Sequence, residues 1–173
     1  METVFKQIRG DFCLLGGWAT YYIVNKSFEK VNGRKYIGSR DIDVGFHIDK
    51  CWSEEQLKGS EFYTAISLLE NTGFSSVSFR LVKNFDLETG RELKPEKAAK
   101  LPMYQIFQLY VDPIVDYIHP KIKDVLGFIP IDEPLLSLVF AARTDDRYAF
   151  PIHIVSQSSK VDWQNIFLGR PFN

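Results

Sequence analysis

The segment Ser39–Phe46, with the sequence SRDIDVGF, decides the fold that we predict for this chain. Its apolar side chains alternate with two carboxylates, and alternation with a period of two is typical of a β-strand. On such a strand Asp41 and Asp43 share one face, while Ile42 and Val44 point to the other, apolar side. Two carboxylates on one face repel each other unless a cation lies between them. The segment therefore predicts a strand that is half core and half a candidate site for a divalent metal ion.

A second informative stretch, Cys13–Ala19, reads CLLGGWA and consists of an apolar run, two glycines and the start of a helix-like segment. Glycines let a backbone approach a phosphate closely, and a helix N-terminus offers free N–H groups. A Gly-Gly pair is also an ordinary turn. Gly16 and Gly17 therefore have either a phosphate-binding or a purely structural role. Trp18 either stacks on a base or belongs to the core.

A third carboxylate follows later in the chain. Asp116 lies within the apolar segment Ile114–Ile118, which we predict to be a strand next to the one that carries the aspartate pair. Asp112 is the alternative, but Pro113 after it favours a turn, so Asp116 is preferred. Three carboxylates can hold two divalent ions that clamp a triphosphate and activate a hydroxyl group for in-line attack.

In this order the residues resemble the minimal nucleotidyltransferase superfamily, the fold of DNA polymerase beta-like enzymes. Leu15-Gly16-Gly17 is similar to the first family motif, and Asp41-Ile42-Asp43 is similar to the second. Arg40 stands where a basic residue often precedes the aspartate pair, and Asp116 best fits the third carboxylate. The combination of GGWA and RDIDV looks most like the branch that contains toxin-type and antibiotic-modifying nucleotidyltransferases. The resemblance covers roughly residues 12–118.

The resemblance implies an enzyme that moves a nucleoside monophosphate from an NTP to a hydroxyl acceptor and releases pyrophosphate. It implies three catalytic residues that also bind Mg²⁺ or Mn²⁺, namely Asp41, Asp43 and Asp116. It implies four residues that contact the nucleotide, namely Gly16, Gly17, Trp18 and Arg40. The acceptor stays open among a small molecule, tRNA and a protein, and the identity of the NTP and the oligomeric state are open as well.

Two other classes of function remain alongside the enzyme. One is a catalytically inactive nucleotide-binding or antitoxin-like regulatory module of the same fold, with a protein partner. The other is an unrelated α/β scaffold whose short motifs match by chance. Release of pyrophosphate, lost on substitution of Asp116, would favour the enzyme over both.

The composition of the chain limits these hypotheses. The chain has 173 residues, of which 45% are hydrophobic and 14% aromatic, so we expect a substantial core and a single domain over residues 1–173. The formal net charge of −1 gives no general reason for nonspecific binding to nucleic acid. No apolar stretch is long enough to span a bilayer, so we expect a cytoplasmic protein and no membrane partner.

The pattern of elements predicts an α/β or α+β fold, with a mixed β-sheet flanked by helices. The nucleotidyltransferase-like core is expected over residues 10–120, with a C-terminal helical segment over residues 130–173 packed on it. Helices are predicted over residues 2–9, 18–25, 54–71, 134–143 and 153–168. Strands are predicted over residues 12–15, 41–47, 76–83, 104–110 and 114–118. Residues 26–40 and 86–101 are predicted to be loops.

Overall fold

The structure is a computed structural model and describes residues 12–34, 39–142 and 154–155. These residues form a mixed sheet with helices, as the alternation of strand and helix patterns predicts. The eight described strands are β1 (Phe12–Leu14), β2 (Asp41–Phe46), β3 (Ser75–Val77), β4 (Arg80–Asp86), β5 (Glu92–Leu93), β6 (Ile106–Val115), β7 (Ile131–Asp132) and β8 (Ile154–Val155). The six described α-helices are α1 (Gly16–Asn32), α2 (Glu54–Lys58), α3 (Glu61–Asn71), α4 (Pro95–Ala98), α5 (Ile122–Leu126) and α6 (Leu136–Ala142), and a 3₁₀ turn covers Met103–Gln105.

The strand order is β3-β4-β6-β2-β1-β8, with β5 paired to β4 and β7 paired to β6. Strands β2 and β6 run parallel at the centre, and β6 and β7 are also parallel. The other pairs are antiparallel. The two central strands therefore begin at the same end of the sheet, and residues at matching positions on them face the same side.

One face of the sheet carries the core. Ile42, Val44 and Phe46 are at most 3% exposed, and they pack with the apolar sides of α2 and α3. The rings of Phe46 and Phe62 lie 5.1 Å apart in an edge-to-face arrangement. Strand alternation then sends the odd-numbered residues of β2 to the opposite face. The core thus fixes which side Asp41 and Asp43 occupy.

Helix α6 covers part of that opposite face. Its Leu136 is buried, and a Cβ placed at Gly45 of β2 would lie only 2.8 Å from the Leu136 side chain. A larger residue at position 45 would push α6 away from the sheet. The helix expected over residues 134–143 is therefore present as Leu136–Ala142 and packs against the strand that bears the aspartate pair.

Strand β6 corrects the prediction of a turn at Pro113. Residues 106–115 form one continuous strand, not two strands separated by a turn. The N–H groups of Tyr110 and Asp116 point towards β2, where they donate to Arg40 O and Phe46 O. The nitrogen of Pro113 therefore points the other way. On that side the pairing with β4 ends at Val111 and the pairing with β7 begins at Ile114, so the missing N–H breaks no ladder bond.

Four other element predictions need correction. The loop expected over residues 86–101 contains β5 and α4. Helix α1 continues to Asn32, so the loop expected from residue 26 begins later. The last turns of the helix are mostly exposed, and Gly33 ends it at φ 66°. The helix expected over residues 54–71 divides at Gly59, because Ser60 caps a new helix through Tyr63 N. The strand expected over residues 76–83 is a hairpin that turns at Ser78, where φ is 60°.

At the ends of the chain, the predicted helices can be compared with the structure at only a few residues. The helix expected over residues 2–9 lies outside the described residues, as does most of the one expected over 153–168. At Ile154–Val155 that second prediction is wrong, since these residues form β8 against β1. Among the described helices, none combines the length and the apolar character that crossing a membrane requires.

Candidate functional site

The pairing of β2 with β6 brings three carboxylates together. Asp43 lies directly opposite Asp112 in the parallel register, and Asp41 lies opposite Tyr110. Oxygen atoms of Asp41, Asp43 and Asp112 all lie within 4.8 Å of one another. Residues at matching positions of parallel strands share a face, so the convergence follows from the register itself. The aspartate pair of the sequence motif thus forms one cluster with a third carboxylate from the neighbouring strand.

The cluster has the dimensions of a site for a hard divalent cation. Mg²⁺ binds oxygen at roughly 2.0–2.1 Å, so two ligands on opposite sides of one ion are about 4.2 Å apart. The separations of up to 4.8 Å here are therefore close to those of a formed site. Carboxylate oxygens are also the donor type that Mg²⁺ and Mn²⁺ prefer.

The third carboxylate is held by an arginine from β4. The Arg80 Nε donates to Asp112 Oδ1 at 2.9 Å, and its terminal Nη2 donates to Oδ2 at 2.6 Å. The Asp112 residue is only 4% exposed. A planar guanidinium matches a carboxylate in this two-contact geometry, which gives both charge compensation and a fixed orientation.

The electrostatic environment is unfavourable for the charge on Asp43. Burial raises the pKa of Asp43 above its ordinary value of 3.8, and the neighbouring charges of Asp41 and Asp112 raise it further. The Arg80 guanidinium acts in the opposite direction and lowers this pKa. In the absence of other cations the cluster therefore has more negative charge than Arg80 balances, and a bound divalent cation would relieve the repulsion.

The structure does not bring Asp116 to this cluster. Asp116 follows the end of β6, four residues beyond Asp112, which corresponds to about 13 Å along a strand. Its carboxylate instead accepts hydrogen bonds from His47 Nδ1 at 2.5 Å and from Ile48 N at 2.8 Å. The expectation that Asp116 lies beside Asp41 and Asp43 is therefore wrong, and Asp112 occupies that place. The cause is Pro113, which fits inside β6 and does not end it.

The first turn of α1 lies directly against the cluster. Leu15 N donates to Asp43 O at 2.9 Å, which fastens the start of the helix to β2. Gly16 has φ 60°, and a Cβ there would collide with a carboxylate oxygen of Asp43. A Cβ at Gly17 would lie 2.8 Å from Ser39 Oγ. Both glycines therefore permit the close approach of helix and strand on which the site depends.

This helix start is also able to receive an anion. The first N–H groups of an α-helix have no partner within the helix, and they form the positive end of its dipole. No side chain of the described residues caps α1, and its first turn contains no acidic residue. The glycine motif is thus placed where phosphate groups next to a metal ion could accept hydrogen bonds from the backbone.

The two remaining residues of the predicted nucleotide site lie elsewhere. Trp18 is partly buried against the core, and its Nε1 donates to Ser39 O at 2.9 Å. These contacts give it a structural role, the alternative that the sequence left open. The guanidinium of Arg40 lies 5.9 Å from the ring centre of Phe107. Phe107 lies four residues before Val111 on β6, so both side chains are on the same face of the sheet. Arg40 is therefore directed towards the face opposite the carboxylates.

Sequence reasoning missed Arg80 and the contact between His47 and Asp116. Nothing in the sequence near Arg80 marks it, because its role depends on an antiparallel register that brings residues 80 and 112 opposite each other. His47 follows directly after the DIDVGF strand, and this position was the only available signal for its contact with Asp116. Both contacts join residues that are far apart in the chain.

The charge on Asp43 makes the stability of the metal-free protein depend on pH. Because the pKa of Asp43 is raised in the folded state, its contribution favours folding below the ordinary value of 3.8 and is lost as the pH rises through the folded-state pKa. We therefore expect Asp43→Asn to be more stable than the wild type near neutral pH in the presence of a chelator, with the difference vanishing in acid. Urea denaturation at several pH values measures this, and equal stability at all pH values would contradict it.

Comparison of the chain with protein-family models, with curated proteins and with solved structures finds no match to any of them.

Proposed function

We propose that this chain is a cytoplasmic, metal-dependent nucleotidyltransferase that moves a nucleoside monophosphate from an NTP to a hydroxyl acceptor. The observation that carries the proposal is the meeting of Asp41, Asp43 and Asp112 within 4.8 Å beside an uncapped helix start. The carboxylates and the Gly16-Gly17 turn reach this arrangement from separate parts of the chain. The order of these motifs, which resembles that of minimal nucleotidyltransferases, supports the same reaction.

The proposed reaction is an in-line displacement at the α-phosphorus. The acceptor oxygen forms a bond to the α-phosphorus, and the bond from that phosphorus to the oxygen bridging to the β-phosphate breaks. Pyrophosphate leaves, and the proton of the acceptor hydroxyl passes to a carboxylate oxygen. Bound Mg²⁺ or Mn²⁺ would supply charge neutralisation for the phosphates. The role that the sequence assigned to Asp116 falls to Asp112 in this proposal.

The residues of the chain contribute binding and orientation. Asp41, Asp43 and Asp112 would hold the ion, while the N–H groups at Gly16 and Gly17 would donate to phosphate oxygens. The acceptor is proposed only by class, as a hydroxyl group on a small molecule, tRNA or a protein. The net charge of −1 weighs mildly against a large nucleic-acid contact surface.

The test is release of pyrophosphate from each of the four common ribonucleotides, with Mg²⁺ or Mn²⁺ and a panel of acceptors. We expect release with the wild type and a fall of at least about a thousandfold when Asp41→Asn and Asp43→Asn are combined, because electrostatic stabilisation of the transition state is lost. Asp124→Asn is the matched control, since this side chain is 65% exposed and lies outside the cluster. Release that continues unchanged in the double variant would refute the assignment of the metal site.

A second candidate is a nucleotide-binding module without turnover. The observation that favours it is the two-contact ion pair of Arg80 with Asp112, which compensates the buried carboxylate without any metal ion. Such a protein would bind a nucleotide and would release no pyrophosphate with any acceptor. Nucleotide binding measured by calorimetry, together with the release assay, separates the two functions.

A further inference from the structure

We propose that Arg80 is a positioning residue that holds Asp112 in the orientation needed to bind the metal ion with Asp41 and Asp43. This inference rests on the metal site of the proposed function, but not on turnover. Arg80 directly precedes Leu81, which pairs with Val111, so the register of β4 with β6 brings Arg80 beside Asp112 just beyond the last paired residues. Arg80 donates to Asp112, and its charge also lowers the pKa of Asp43.

The two hydrogen bonds from Arg80 fix the plane of the Asp112 carboxylate. A single contact would let the carboxylate rotate, whereas contacts of 2.9 Å and 2.6 Å to its two oxygens define one orientation. Without Arg80, the like charges of Asp43 and Asp112 would face each other uncompensated and would push the two side chains apart. The ion pair therefore keeps Asp112 near Asp43 before any metal binds.

Arg80 is itself held by contacts that do not involve Asp112. Its guanidinium carbon lies 4.5 Å from the ring centre of Tyr110 and 5.0 Å from that of Phe79. Guanidinium groups are attracted to aromatic faces at such distances. Two aromatic rings thus hold the guanidinium in addition to its contacts with Asp112.

The ion pair leaves room for a metal on the same carboxylate. Each carboxylate oxygen can accept more than one contact, and Arg80 accounts for one on each oxygen of Asp112. Hydrogen-bonded partners of metal ligands commonly orient the ligand, and their loss lowers metal affinity by roughly 10- to 100-fold. The opposite possibility, in which Arg80 competes with the metal for Asp112, predicts a change of affinity in the other direction.

The experiment measures the affinity for Mn²⁺ alone, by electron paramagnetic resonance, in the full chain without nucleotide. We expect Arg80→Gln to weaken Mn²⁺ binding by at least about tenfold. Arg80→Lys keeps the charge and loses the two-contact geometry, so its Mn²⁺ affinity should lie between those of the wild type and Arg80→Gln. Arg91→Gln, at an exposed position on the turn between β4 and β5, is the control and should leave binding unchanged.

A double-mutant comparison separates positioning from a general effect on the fold. In the Asp112→Asn background, Arg80→Gln should cause no further loss of Mn²⁺ affinity, because the residue through which it acts is no longer a carboxylate. Melting temperatures in a chelator establish which variants are folded, and Arg80→Lys carries the test if Arg80→Gln does not fold.

Four results would overturn the inference. Tighter binding in Arg80→Gln would show competition with the metal, and an equal loss in the Asp112→Asn background would show an effect through the fold. Unchanged affinity in both Arg80 variants, with wild-type binding intact, would refute the role of Arg80 and leave the proposed function standing. A wild type that binds no Mn²⁺ would refute both.

Discussion

Substitution of Asp112 by asparagine is expected to lower pyrophosphate release by at least about a thousandfold, whereas Asp116→Asn should retain most of the activity. The reason is geometric, because Asp112 lies opposite Asp43 in the parallel register and Asp116 lies beyond the end of β6. Loss of one charged group at a site of developing charge costs several kcal/mol of transition-state stabilisation. Steady-state release of pyrophosphate, measured with both variants side by side, tests this.

Replacement of Asp116 should instead affect the stability of the fold. Asp116 is buried and accepts hydrogen bonds from His47 and from the backbone of Ile48, so its replacement by alanine should cost about 2–4 kcal/mol of the free energy of unfolding. If Asp116→Asn removes activity at saturating metal while the protein stays folded, the third catalytic carboxylate is Asp116 and our assignment fails.

Substitution of Gly16 by alanine is expected both to destabilise the protein and to weaken metal binding strongly. A non-glycine residue at φ 60° costs roughly 1–2 kcal/mol. In addition, the new Cβ would collide with the carboxylate of Asp43 and force that side chain out of the cluster. The expected result is a lower melting temperature and at least about a hundredfold weaker Mn²⁺ binding, measured by denaturation and by titration.

Gly33 offers a matched control for this substitution. It ends the same helix at φ 66°, and a Cβ there would meet nothing within 4 Å. Gly33→Ala should therefore show the cost of backbone strain alone, with metal binding unchanged. Equal metal binding in Gly16→Ala and Gly33→Ala would mean that the contact between α1 and Asp43 does not matter for the site.

The sequence predicted the parts of the site that depend on local pattern. The alternation in SRDIDVGF correctly placed Asp41 and Asp43 on one face of a strand whose other face is core. The paired glycines correctly marked a strand-to-helix turn, although α1 extends further than its apolar residues indicated. The capping box of Ser53 and Gln56 that begins α2 is likewise formed by neighbouring residues. In each case the deciding interactions lie within a few residues.

The errors arose where pairing between distant segments decides the structure. Pro113 is a turn signal by local rules, and only the end of the β4 ladder shows that its missing N–H is harmless. That single error moved the third carboxylate from Asp112 to Asp116. The role of Arg80 depends on the register of β4 with β6. The hairpin at Ser78 lies within a polar–apolar alternation that predicts a single strand.

The position of Pro113 also bears on the balance of polar groups around the carboxylate cluster. On the side of β6 that faces away from β2, the pairing with β4 ends at Val111 and the pairing with β7 begins at Ile114. Pro113 lies between these two pairings and is buried. A buried backbone N–H without a partner costs free energy, and proline has no N–H. The same residue that ends no strand and precedes no turn thus leaves no unsatisfied backbone donor beside the cluster.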